Sequence, residues 1–450
     1  MSPSTNLFHK LMNASAHIKW FYLLLALCGV ISTSAQNSRL NAYTFGEGLS
    51  LTGKSDYTMT LRGYIQPNYE AKLYTDDSYS GEGAINRFRL RRFRLRLTGD
   101  SPNQKVEYRL QLDFSGTSET GEEDAGLLFD AWIGYQLTKN IKIKFGQMAT
   151  PTDNRELRMG SQTLQLVERS RVTSAFASIR EFGIFAEGRF RTGGGTYLKP
   201  YFTLTNGDGV NVYSNDRGGL KVGGRLDFLP FGLFTNYGQF RQADLVRELS
   251  PKLVIGGYYN HNSGMSSRRG RSSGDIIYLD ETGNESLPNY SKFGVDFMLK
   301  YRGFSVLGEF AASAATVPVG IAQRVRNNGT IATSFDVDGM RDVENYVKGR
   351  MMLGKGYNIQ MGYVFKNLIS IDARYAHLDA DRHSFLNNGT FYNRPNYYTL
   401  GATKYFSRGY GFKIQASITY VELGEGSNDI TSTPIEGNEW IFRTLATFSF

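Results

Sequence analysis

From Phe93 onward the chain alternates strictly, with Phe93, Leu95 and Leu97 on one side and Arg92, Arg94 and Arg96 on the other. A period of two sends successive side chains to opposite faces of a β-strand. The stretch Asn86–Gly99 therefore reads as one strand, the second of a series. The first, over Tyr57–Leu73, puts Met59, Leu61, Ile65, Tyr69 and Leu73 on an apolar face and Arg62, Tyr64, Gln66 and Glu70 on a polar one. The third, over Lys105–Ser115, sets Val106, Tyr108, Leu110, Leu112 and Phe114 on its apolar face. The same rhythm predicts strands over 127–137, 141–147, 181–190, 197–205, 219–228, 252–261, 291–301, 304–312, 345–365, 368–378, 397–406, 411–421 and 439–450, sixteen in all.

Alternation alone fits either a soluble sandwich or a membrane barrel, in which the faces swap roles. The connections separate the two. Long polar segments (74–85, 116–126, 148–180, 206–218, 262–290, 313–344, 379–396 and 422–438) alternate with short turns such as Thr138–Asn140, Arg302–Gly303 and Lys366–Asn367. That asymmetry, with an even strand count, predicts a transmembrane antiparallel β-barrel with long outer loops and short periplasmic turns. Residues 229–251 break the rule, being long where a short turn is expected. The last strand carries Trp440, Phe442, Phe448 and the terminal Phe450 on one face. Outer-membrane barrels commonly end on such an aromatic.

Composition agrees. Fifty glycines, 30 phenylalanines and 28 tyrosines sit beside a mean hydropathy of −0.36, as alternating strands require. Lys10 and Lys19 precede the apolar run Trp20–Ile31, with small residues at Thr33 and Ala35. This predicts a signal peptide over 1–35 and the outer membrane of a Gram-negative bacterium as destination. Residues 36–55 are polar without period, read as a periplasmic lead-in, and 56–450 form the barrel. The single cysteine, Cys28, leaves with the leader, so no disulfide, thiolate metal site or cofactor is expected. The formal charge of +9 becomes +7 once the leader's two lysines are gone. Its arginines are spread along strands with no dense basic helix, which argues against a nucleic-acid partner. His261, His377 and His383 lack metal spacing, and no Ser/His/Asp arrangement is visible, so an enzyme is not expected.

Several stretches in order resemble the porin O and P family, the phosphate-selective porins. They are Arg91–Asp100, Val106–Gly116, Asp130–Pro151, Leu166–Ser170 and Arg180–Gly188, with Thr399–Phe406 further on. The resemblance implies a trimeric 16-stranded barrel, a constriction formed partly by the third outer loop, and an arginine ladder in the lumen. The chain departs from the family pattern at Met148, Ala149, Thr150 and Thr152, where a basic residue and an aromatic are usual.

Carrying the strand phases forward, the inward face collects Arg92, Arg94, Arg96, Arg109, Lys142, Lys144 and Arg374, the expected anion pathway, together with Arg225, Lys413 and Arg443. Arginine suits oxyanions because its planar fork donates two parallel hydrogen bonds and stays charged. Inward acids are fewer, and the Arg92, Arg94 and Arg96 row has too few nearby to be fully paired. Arg155 and Arg158 in the third loop are the expected constriction residues. The expected function is an anion-preferring diffusion channel, for phosphate or polyphosphate, with membrane lipid, lipopolysaccharide and small anions as partners. The alternatives are a porin without phosphate selectivity and a structural or adhesive barrel.

Overall fold

The computed structural model describes residues 39–450 except 54, 80, 82, 84, 116–126, 179, 213–216, 266–276 and 327–328. The leader over 1–35 lies outside the described residues. The period-two pattern is realised as β1 (Thr58–Tyr74), β2 (Ile85–Asp100), β3 (Val106–Asp113), β4 (Leu128–Thr138), β5 (Ile141–Ala149), β6 (Arg180–Gly188), β7 (Thr196–Thr205) and β8 (Lys221–Leu229). Eight more follow: β9 (Lys252–Asn262), β10 (Asn289–Tyr301), β11 (Phe304–Thr316), β12 (Gly354–Val364), β13 (Ile369–Ala380), β14 (Asn396–Tyr405), β15 (Phe412–Glu422) and β16 (Asn438–Ser449). Each pairs antiparallel with its neighbour, and β16 pairs with β1 from Glu439↔Tyr74 to Ser449↔Tyr64. The sheet is a closed 16-strand barrel, so it leaves no long edge.

Phe450 completes the seam. Its N–H donates to Gly63 O at 2.9 Å, and Gly63 N–H donates back to Phe450 O at 2.7 Å. A Cβ on Gly63 would lie 2.5 Å from the Phe450 ring, so the close approach needs glycine.

Phe93, Leu95 and Leu97 face outward, alternating with the inward Arg92, Arg94 and Arg96. Two rows of aromatic residues flank the apolar belt on the β13–β16 side, as expected where a barrel meets membrane interfaces. Tyr375, Tyr398, Tyr420 and Trp440 form a row toward the outer end, with ring centroids 4.8–6.3 Å apart. Phe406, Phe412 and Phe448 form another at the turn end. Among the described residues no helix is long and apolar enough to cross a membrane, which says nothing against strands doing so.

Two expectations need correction, and one connection that broke the rule is placed. The strand expected over 345–365 begins only at Gly354, because Val343–Lys348 is a helix (α2) capped by the Asp342 carboxylate, which accepts Asn345 N–H at 3.0 Å. Residues 36–55, where no period predicts strands, contain two: Arg39–Thr44 and Gly48–Thr52 form a hairpin whose second strand pairs with Thr58–Leu61 of β1. The start of β1 extends past the reach of β16, and this hairpin satisfies its free backbone groups. The long connection 229–251 turns inward and enters the barrel, where much of it is buried. At the outer end, described parts of 263–288 and 317–353 share a core of Met265, Tyr278, Phe335, Met351 and Leu353, capping the β9–β12 side.

Candidate functional site

The arginine row starts from a local irregularity. β1 and β2 pair Gln66↔Arg92 and then Pro67↔Leu90, so Arg91 is an extra residue. Pro67 has no N–H to give the ladder, and a β-bulge takes up the mismatch. Arg91 and Arg92 consequently both turn into the lumen. Beyond the bulge the phase is reversed: Phe88 and Leu90 are exposed on the outside, while Arg89 and Arg87 bond Asn68 and Glu70 within. Six arginines therefore line one strand, twice the number expected from alternation after Phe93. The Arg91–Arg92 doublet was the visible signal, since it interrupts the alternation.

Each arginine of the row has a polar partner, with fewer carboxylates than arginines. Arg94 Nε donates to Asp113 Oδ2 at 2.6 Å and its guanidinium lies 3.8 Å over the Phe129 ring. Arg96 Nε donates to Gln111 Oε1 at 2.7 Å. Arg92 Nη2 donates to Glu168 at 3.0 Å, and Arg91 reaches the same carboxylate through Nε at 2.6 Å and Nη2 at 3.2 Å. Asp113 stands opposite Arg94 in the β2–β3 register. Glu168 arrives from the third outer loop, a contact that strand phase cannot reveal. Burial pushes its carboxyl pKa up, but Arg91 and Arg92 outweigh that and hold it well below the usual range, so it is ionised.

That loop, 150–178, folds into the lumen and includes helix α1 (Arg171–Phe176). Arg155 is wholly buried: Nε donates to Asp296 at 2.9 Å and Nη2 to Asp227 at 2.9 Å. Arg225 bonds the same two aspartates at 2.6–2.8 Å. Lys292 meets Asp153 at 2.7 Å and Lys221 meets Glu181 at 2.6 Å. Arg158 lies over Tyr201 and Phe240 at 4.3 and 4.6 Å and is 3.5 Å from Asp227. The two expected constriction residues thus fix the loop against the wall. The wall makes room with glycine, for a Cβ on Gly256 would lie 2.1 Å from Arg225 Nη2 and 2.8 Å from Arg155 Nη2.

The loop's deep end meets the inward segment 229–251. Gln242 N–H donates to Thr163 O at 3.3 Å, its Nε2 donates to Glu156 at 2.9 Å, and its Oε1 accepts Gln165 N–H at 2.8 Å. Lys413 and Gln415 donate to loop carbonyls from β15. Arg374 holds the returning limb, donating to Glu168 O at 2.9 Å and Arg169 O at 3.2 Å. Nearer the turn end, Lys142 pairs with Glu107 at 2.6 Å and Lys144 with Glu187 at 3.0 Å. Arg109 lies 5.1 Å over Trp132 and 3.9 Å from Asp130.

Along the β1–β2 and β13–β16 side, the described residues line an outer and an inner lumen cavity. The outer one, about 280 Å³, is lined by nine basic residues and three carboxylates, Glu70, Glu168 and Glu439. Its basic side chains come from the strands (Lys72, Arg87, Arg89, Arg91, Arg374, Arg443) and from loops (Arg169, Arg171, Arg394). The inner one, about 100 Å³, is lined by Arg62, Arg94, Arg96 and Arg241 with Glu47 as its acid. Arg92 lines neither. It is wholly buried between them, donating to Gln66, which donates to Thr447 at 2.9 Å. These three side chains and Glu168 make a polar septum. At the outer lip Tyr79 Oη donates to Asp429 at 2.6 Å, joining two loops. Burial raises that carboxyl, yet bonds from Tyr79 and Thr431 hold its pKa at about 2. The stability this charged clasp contributes is present above the ordinary Asp pKa and is lost as pH falls toward about 2.

Among the described residues no group of His, Cys, Asp or Glu could hold a metal ion. No curated protein matches the chain in sequence. Many solved structures align with it, among them three outer membrane proteins covered over nearly their whole length. The outer membrane channel DcaP of Acinetobacter baumannii has TM-score 0.49 at 10% identity, covering 89% of this chain and 99% of that one. OmpF of Salmonella typhi has TM-score 0.49 at 13% identity, covering 91% and 99%. OmpT of Vibrio cholerae has TM-score 0.46 at 9% identity, covering 92% and 100%. The sequence model of the phosphate-selective porins O and P matches residues 68–340, more than half of the chain. With the closed barrel, that match makes this an outer-membrane porin channel, and the chain belongs to the phosphate-selective porin O and P family.

Proposed function

We propose that the porin is an anion-preferring diffusion channel whose path runs off-axis, along the wall of β1, β2 and β13–β16. The observation that carries this reading is the outer cavity's excess of six positive charges, continued by the Arg92, Arg94 and Arg96 row to the inner cavity. Low-dielectric walls focus such a field and raise the local concentration of anions. Conduction also needs sites weak enough to release the ion, and a succession of partly neutralised arginines supplies them. Phosphate and polyphosphate are the favoured solutes because their oxygens match the arginine fork. Assembly as a homotrimer, outer loops against lipopolysaccharide, and a leader removed after Ala35 belong to the same reading.

Single channels in planar bilayers test it. A salt gradient of potassium chloride should give a reversal potential of anion-selective sign, and added phosphate should reduce the chloride current. A cation-selective sign would overturn the proposal. The septum favours a second reading, a closed structural barrel, and a folded protein without conductance would establish it.

A further inference from the structure

The septum contains a carboxylate held as an oxyanion would be held. Glu168 accepts three charge-assisted hydrogen bonds, two from the Arg91 fork and one from Arg92. Bidentate arginine geometry is common to carboxylate and phosphate. The outer cavity reaches both Arg91 and Glu168, and Glu168 is the more open of the two, with 17% of its side chain exposed against 4% for Arg91 and none for Arg92. The buried Arg92 Nε has no hydrogen-bond partner, so the doublet keeps a donor in reserve.

The loop backbone does not depend on this carboxylate. Arg374 holds the Glu168 and Arg169 carbonyls, and Arg169 Nη2 donates to Met159 O at 2.7 Å. Rotation of the Glu168 side chain into the cavity would break its bonds to Arg91 and Arg92 and leave these backbone contacts in place. Along β2, Arg91 and Arg94 are about 10 Å apart at ~3.3 Å per residue. A single exchange at the doublet would carry a small anion from the outer to the inner cavity.

We propose that Glu168 is a resident counter-anion of the pore: its carboxylate occupies the place between Arg91 and Arg92 that a permeating oxyanion takes, and passage proceeds by exchange of one for the other. The proposal rests on the anion-channel reading and adds its control point. The bound carboxylate weakens the arginine doublet for each oxyanion, so that the ion is released instead of trapped.

Inorganic phosphate added to the chloride current of the purified full chain tests the exchange. In Glu168→Gln the half-blocking phosphate concentration should fall about tenfold or more, the worth of one charge-assisted hydrogen bond. Glu168→Asp, which keeps the charge, should stay near the parent. Arg91→Lys, which keeps its charge but loses the fork, should raise the half-blocking concentration. Glu439→Gln removes the same charge from the same cavity away from the doublet, so it should move the reversal potential but leave phosphate block nearly unchanged. An unchanged half-blocking concentration in Glu168→Gln or in Arg91→Lys overturns the proposal. So does an equal fall in Glu439→Gln, which would make net cavity charge the whole cause. An anion-selective parent with an unchanged Glu168→Gln sinks the exchange alone, whereas a cation-selective parent sinks the channel reading beneath it.

Discussion

The two sides of the lumen use the same residue types to opposite ends. On the β6 and β8–β11 side, Arg155 and Arg225 meet Asp227 and Asp296, while Lys221 and Lys292 meet Asp153 and Glu181. Cations and carboxylates balance there and all eight side chains are buried. On the β1–β2 and β13–β16 side, nine cations face three carboxylates around open space. Buried charges are tolerated only when paired, because desolvation costs several kcal/mol per ion. The balanced side therefore acts as an anchor for loop 150–178. Beside a water-filled cavity an excess is cheap to keep, and it creates a field. Charge balance and access to water, more than the number of arginines, separate scaffold from pathway.

The strongest way to break this contrast is to unbalance the anchor. Asp296→Ala leaves Arg155 and Arg225 sharing Asp227 alone, a loss of about 3–5 kcal/mol for a broken buried pair. The barrel should persist by heat-modifiable gel mobility, while the loop loosens and single-channel conductance rises. Unchanged conductance would mean that the anchor does not set the pore.

The opposite wall is tested by charge removal with little expected change in conductance. Replacing Arg92, Arg94 and Arg96 together with Ala should shift the reversal potential toward cations, the more so because Asp113 and Glu168 remain. Screening over about 8–10 Å at physiological salt makes the shift largest at low ionic strength. A parental reversal potential at low salt would make the row structural.

Gly256→Ala sharpens the comparison more gently. The added methyl group meets the Arg225 and Arg155 guanidinium groups, and overpacking of this kind costs about 1–3 kcal/mol. Noisier current at unchanged selectivity is the expected outcome. The smallest effect belongs to Lys355→Ala on the outside, where Lys355 and Asp379 pair at 3.2 Å with both side chains more than half exposed. Stability should change by less than about 0.5 kcal/mol, with reversal potential unaltered, which makes it the control for the other three.

Much of this molecule was legible in its sequence, but unevenly. The alternation at Phe93, Leu95 and Leu97 follows from backbone geometry within a few residues, so it predicts the faces wherever the strand is regular. At Arg91–Arg92 the regularity fails, and the bulge opposite Pro67 sets the phase of Arg87 and Arg89. The helix at Val343–Lys348 was missed because apolar spacing over so short a stretch suits strand and helix alike.

By itself the sequence determined the barrel, its sixteen strands, the lipid and lumen faces, and which end carries the long loops. Each rests on local physics: a period of two, turn length, and the need to satisfy every backbone group in a membrane. Tertiary structure alone decided which charges are silent. Arg155 is neutralised by Asp296, 141 residues away, and Arg92 by Glu168, 76 residues away. Those partners meet only because a polar loop folds into the lumen, and 229–251 rises from the other end to meet it. Strand periodicity holds no record of where a loop will go, since a loop's position depends on the buried pairs it finds there.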